Sequence, residues 1–202
     1  MPSGPRSRSK RRAFAPAQSL ESGRAVAVRS QDGTRLHTEV FGPEDGYPIV
    51  LAHGITCAIR VWAQQITDLS QDYRVIAFDH RGHGRSAVPA RRHAYSLDHL
   101  AADLDSVLEA TLGPHERAVI AGHSMGGIAI TSWAERYAER VTERADAVAL
   151  INTTTGDLLR DIKLLPVPAP LAAARVFAAG TFLKTFGSTP LPRARHGANQ
   201  RF

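Results

Sequence analysis

Apolar and polar positions alternate twice near the start of the described pattern. Ala25 to Ser30 alternates as a strand does, Gln31-Asp32-Gly33-Thr34 is a turn signal, and Arg35 to Phe41 alternates again. A hairpin is expected there, with Gly42 to Pro48 as the following loop. The pattern then changes. Ile49–Ala52, Val75–Phe78, Ala118–Ala121 and Ala147–Ile151 are short, continuous apolar runs, as expected of strands buried on both faces. Helical spacing fills the gaps. Val61, Trp62, Ile66 and Leu69 share one face, Leu97 to Thr111 follows Ser96 as an N-cap and stops at Gly113-Pro114, and 128–137 is helical. Strands alternating with helices predict an α/β fold: a mostly parallel sheet with right-handed crossovers and helices on both faces.

Length and composition fit one globular domain. The chain has 202 residues, of which 43% are hydrophobic. The single cysteine, Cys57, permits no intrachain disulfide and fits a reducing compartment, so a cytoplasmic location is expected. The net charge of +6 belongs to the ends. Residues 1–12 carry +5 and residues 193–202 carry +3, which leaves the body at −2. These ends read as solvated basic tails rather than as a nucleic-acid surface, so no specific nucleic-acid partner is expected. The N-terminus lacks the apolar run of a secretory signal. The longest apolar stretch, 164–183, is broken by Pro166, Pro168, Pro170 and Arg175 and does not read as a membrane span. The expected organisation is a basic tail over 1–23, a core over 24–160, an apolar helical segment over 161–186 and a second basic tail over 187–202.

The chemistry concentrates at Gly122-His123-Ser124-Met125-Gly126-Gly127, between an apolar strand and a helix. A serine hydroxyl becomes a nucleophile only when it stands clear of the backbone and a base can reach it. A G-x-S-x-G turn between strand and helix supplies the first condition. The glycines leave room for the sharp turn, and the helix aims free N–H groups at the reacting centre. Sites in such sheets form at the carboxyl ends of the strands. His53-Gly54, Asp79-His80-Arg81-Gly82, Ser124 and Asn152 all follow the apolar runs and are expected along one edge.

Over about residues 24–160 the chain resembles the α/β-hydrolase superfamily. The resemblance rests on the opening hairpin, on His53-Gly54-Ile55-Thr56, on Asp79-His80-Arg81-Gly82-His83-Gly84-Arg85-Ser86 and on the Ser124 elbow, in that order. It implies Ser124 as nucleophile and the backbone N–H groups of Ile55 and Met125 as an oxyanion hole. It implies cleavage of a small ester or lipid-like substrate, or a related acyl bond, through an acyl-enzyme, with no cofactor and no metal. A serine at the elbow speaks against epoxide-hydrolase or dehalogenase chemistry, for which the family uses aspartate there.

In this family the acid and then the histidine follow the nucleophile. After Ser124 the acids are Glu135, Glu139, Glu143, Asp146, Asp157 and Asp161, and the only histidine is His196. Asp157, shortly after the run ending at Ile151, is the candidate acid. His196 lies in the basic tail, where nothing in the sequence holds it within reach of the serine. The chain is therefore expected to stop near the start of the cap region, without the strands that bear the acid and base. The alternative reading is an inactive protein that keeps the elbow. Among the remaining residues, His53 and His123 read as packing or hydrogen-bonding groups. Asp79, His80 and His83 read as a rigid loop rather than metal ligands, Cys57 as a passive neighbour and Trp62 as core. Residues 171–186 read as a cap helix over an acyl pocket, able to lie weakly on a membrane surface.

Overall fold

The computed structural model of the protein describes residues 20–89 and 94–155. Strands β1 (Arg24–Arg29) and β2 (Arg35–Phe41) form the hairpin, followed by β3 (Pro48–Ala52) and helix α1 (Ala63–Leu69). Then come β4 (Arg74–Phe78), α2 (Leu97–Thr111), β5 (Ala118–His123), α3 (Met125–Arg136), α4 (Ala138–Arg144) and β6 (Ala145–Ile151). The six strands make one sheet in the order β1-β2-β4-β3-β5-β6. β1 and β2 pair antiparallel, as do β2 and β4, and β4, β3, β5 and β6 run parallel.

The period-two geometry of a strand sends successive side chains to opposite faces. Val50, Ile76, Phe78 and Ile120 pack on one face with Leu104, Val107 and Leu108 of α2 and Ile130 and Trp133 of α3. Leu51, Val75, Ala77 and Ala121 pack on the other face with Ile59, Trp62 and Ile66. Both faces of the central strands are thus covered, which explains their unbroken apolar runs.

Three local expectations change. The helix expected from Val61 begins as a 3-10 turn over Ile59–Trp62 and becomes α-helical at Ala63. Its first N–H, on Ile59, finds no local cap and donates instead to Asp79 Oδ1 at 2.8 Å. Helix α3 starts at Met125, three residues before the expected 128, and α4 is an element that periodicity did not indicate. The run ending at Ile151 is a strand but not a buried one. β6 is an edge strand among the described residues, and Val148, Leu150 and Ile151 are exposed.

Candidate active site

Ser124 sits between the last residue of β5 and the first residue of α3, with φ 51° and ψ −115°. An L-residue other than glycine reaches that region only under strain, of order 1–3 kcal/mol, and keeps it only when its surroundings over-determine it. Here they do. The Ser124 N–H donates to Ile151 O at 3.0 Å. The Ser124 carbonyl accepts from the N–H of Gly127 at 2.9 Å and of Ile128 at 3.2 Å, and from the Thr153 hydroxyl at 2.7 Å. The turn is also closed sterically. A Cβ on Gly126 would stand 2.2 Å from the Ala52 carbonyl oxygen, so only glycine lets the elbow rest on β3.

The neighbouring loops reach the elbow from both sides because β3 and β6 flank β5. Gly54, after β3, touches it: a Cβ there would lie 3.2 Å from Ser124 Cβ and 2.9 Å from His123 Nδ1. Ile55 is the next residue, with an exposed side chain. Met125, the first residue of α3, occupies a position whose N–H has no acceptor one turn back within its helix.

His53 is fully buried and ties two loops together. Its Nε2 accepts from the His80 N–H at 3.1 Å, so the proton of the neutral ring is on Nδ1, which donates to Gly54 O at 2.7 Å. Burial pushes its pKa down to about 4, against the opposing effect of the Gly54 bond. Both nitrogens are engaged and the ring stays neutral at pH 7, so His53 orients the loop rather than taking a proton. His80 is also buried, edge-on to His53 and to Phe78, and burial holds it well below the usual histidine range. His123 stands edge-on to the buried Trp62 with ring centroids 6.5 Å apart. Cys57 is a half-buried free thiol.

The loop after β4 is a clasp. The Asp79 carboxylate accepts from the N–H groups of Ile59 and Arg85, both at 2.8 Å. Ser86 donates its hydroxyl to Asp79 O at 2.5 Å and accepts the His37 N–H at 2.8 Å. Arg81 is fully buried and forks onto Asp103 of α2 at 2.5 and 2.7 Å. It also reaches Ala94 O at 2.8 Å and Asp32 of the hairpin turn at 2.9 Å. His83 directs Nδ1 to Arg81 O at 3.0 Å. A cleft of about 150 Å³ opens beside this clasp, lined by His37, Glu39, Ile59 and Arg85. Ser124 does not line it.

The structure therefore gathers Ser124, Met125 and the Gly54–Ile55 turn. Asp157 and His196, like the expected helix over 171–186, the tail over 187–202 and residues 1–19 of the N-terminal tail, lie outside the described residues. Thr153 was not legible in the sequence. It carries no motif, and only its place beyond a strand end, next to Asn152, marks it.

A strand-to-helix elbow bearing a serine, set at the carboxyl edge of a mostly parallel sheet with helices on both faces, defines the α/β-hydrolase architecture. The chain matches the family model described as the alpha/beta hydrolase fold over residues 47–202, and it belongs to that family. It is 40% identical over 110 residues to a non-heme chloroperoxidase of Streptomyces lividans, covering 54% of this chain and 38% of that protein. It is 37% identical over 116 residues to epoxide hydrolase 4 of Mus musculus, covering 56% of this chain and 32% of that protein. The chain thus spans about a third of the length of these relatives. Among solved structures, esterase RhEst1 from Rhodococcus sp. ECU1013 superposes with a TM-score of 0.61 at 28% identity, covering 84% of this chain and 70% of that one.

Proposed function

We propose that the chain carries the nucleophilic half of a serine hydrolase that cleaves carboxylic esters or related acyl bonds. In this reading Ser124 Oγ attacks the acyl carbon, and the tetrahedral oxyanion is held by the N–H groups of Met125 and Ile55. The alcohol then leaves with the serine's proton, and water releases the acid from the acyl-enzyme. Asp157 is the acid that orients the base. One such oxyanion donor supplies about 3–4 kcal/mol of transition-state stabilisation. The observation that carries the proposal is the left-handed backbone of Ser124 at the mouth of α3, with Gly54 packed against it. The serine at that position supports acyl transfer over the activity named in the epoxide-hydrolase relative, and the esterase likeness supports the substrate class. Incubation with a fluorophosphonate is expected to add one phosphonyl group to Ser124 of the native chain and none to Ser124→Ala. An unlabelled native serine overturns the proposal.

A second reading is favoured by one observation. The one histidine between Ser124 and residue 202 is His196, in a basic segment of the sequence. A chain without a base in reach keeps the elbow but turns over poorly, since removing the base of such a triad costs several powers of ten in rate. Ser124-dependent hydrolysis of a short-chain ester by the 202-residue chain rejects this reading.

A further inference from the structure

We infer that Thr153 is a positioning residue for the oxyanion donor, acting through the peptide that joins Ser124 to Met125. The inference rests on the acyl-transfer reading of the elbow. The Ser124 carbonyl and the Met125 N–H belong to one planar peptide unit, so fixing the oxygen fixes the direction of the N–H on its opposite side. Hydrogen bonds received by a carbonyl also polarise the amide, which makes its N–H a stronger donor.

Three donors converge on this oxygen. Gly127 and Ile128 make the ordinary first bonds of a helix, to the carbonyl of its N-cap residue. The third, the Thr153 hydroxyl at 2.7 Å, comes from outside the helix, beyond the end of β6. Its approach is built into the chain at two points. Asn152 turns with φ 45°, which brings residue 153 back over the elbow. Gly127 leaves the space that the side chain enters, since a Cβ there would stand 2.4 Å from Thr153 Cγ2 and 2.6 Å from its Oγ1. The second glycine of Met125-Gly126-Gly127 is thus the seat of Thr153. The strained peptide carrying the donor is pinned from the neighbouring strand as well as from its own helix.

Isosteric replacement separates the hydroxyl from the packing. Thr153→Val keeps the shape and removes the donor, whereas Thr153→Ser keeps the donor and removes the methyl. Thr153→Ala takes the place of the valine variant should that variant fail to fold. Fluorophosphonate labelling of Ser124 is expected to slow about three- to tenfold in Thr153→Val and to return to within about twofold of the native rate in Thr153→Ser. The Met125 amide proton, followed by NMR in the unreacted chain, is expected to move upfield in Thr153→Val and to return toward its native position in Thr153→Ser. An unmoved Met125 resonance in Thr153→Val overturns the inference, as does a serine variant displaced as far as the valine one. Because the amide is observed without any reaction, a chain whose Ser124 takes no label sinks the acyl-transfer reading and still decides the role of Thr153.

Discussion

A neutral histidine with both ring nitrogens occupied is a liability in acid, and His53 has that arrangement. Its folded pKa of about 4 lies below the ordinary 6.5. Between those values the unfolded chain binds a proton that the folded chain refuses. Its stabilising contribution is therefore complete above about pH 6.5 and is lost as pH falls toward 4. His80 acts in the same direction. Protonated His53 would also place an N–H against the His80 N–H, opening the tie that seats Gly54 against Ser124. Melting temperatures taken across pH 4.5 to 7 are expected to fall less steeply for His53→Gln than for the native chain. Parallel curves would remove His53 from the account. The sequence placed His53 at the right strand end and assigned it a packing role. It did not supply the partner, because the His80 N–H is a backbone group brought near only by the parallel pairing of β3 and β4.

At the level of elements, what the sequence revealed followed burial. β3, β4 and β5 are apolar on both faces because helices cover both faces, and their runs are unmistakable. Helix α2 announces itself through Ser96, whose side chain accepts from the His99 N–H, and through a regular apolar stripe. Helix α4 was invisible for the converse reason. None of its residues is fully buried, and apart from the half-buried Val141 it is attached by charge, with Arg140 on Asp105 at 3.0 Å and on Glu109 at 2.6 Å. β6 misleads in the opposite sense, since among the described residues an apolar run there marks an edge strand rather than an interior one. An apolar edge is a template for pairing with another chain. Val148→Lys is expected to raise the concentration at which the chain stays monomeric, with little change in melting temperature. Light scattering against concentration checks it, and an unchanged aggregation threshold rejects it.

For the whole molecule, Arg81 matters more than its position away from the nucleophile suggests. One guanidinium joins the hairpin turn, the loop after β4 and helix α2. Removing one partner of a buried pair leaves an uncompensated charge. Asp103→Ala is expected to cost about 3 kcal/mol, the low end of that range because Asp32 still reaches the guanidinium. Urea denaturation measures the loss, and a cost below about 1 kcal/mol would show the pair to be dispensable. The motif containing Arg81 was legible as a rigid loop, but its span was not, since nothing in the sequence marks Asp32 of the turn or Asp103 as its partners. Among the described residues no helix is long and apolar enough to cross a membrane. The elbow, finally, borrows from chain that is made after it. Ser124 gives its N–H to Ile151 and receives the Thr153 hydroxyl, residues added 27 and 29 steps later in synthesis. A nascent chain that has released β5 and α3 but still holds β6 in the ribosome carries a serine without these two restraints. The two restraints that Ile151 and Thr153 place on the elbow can therefore form only once β6 has emerged, although the turn itself is encoded upstream.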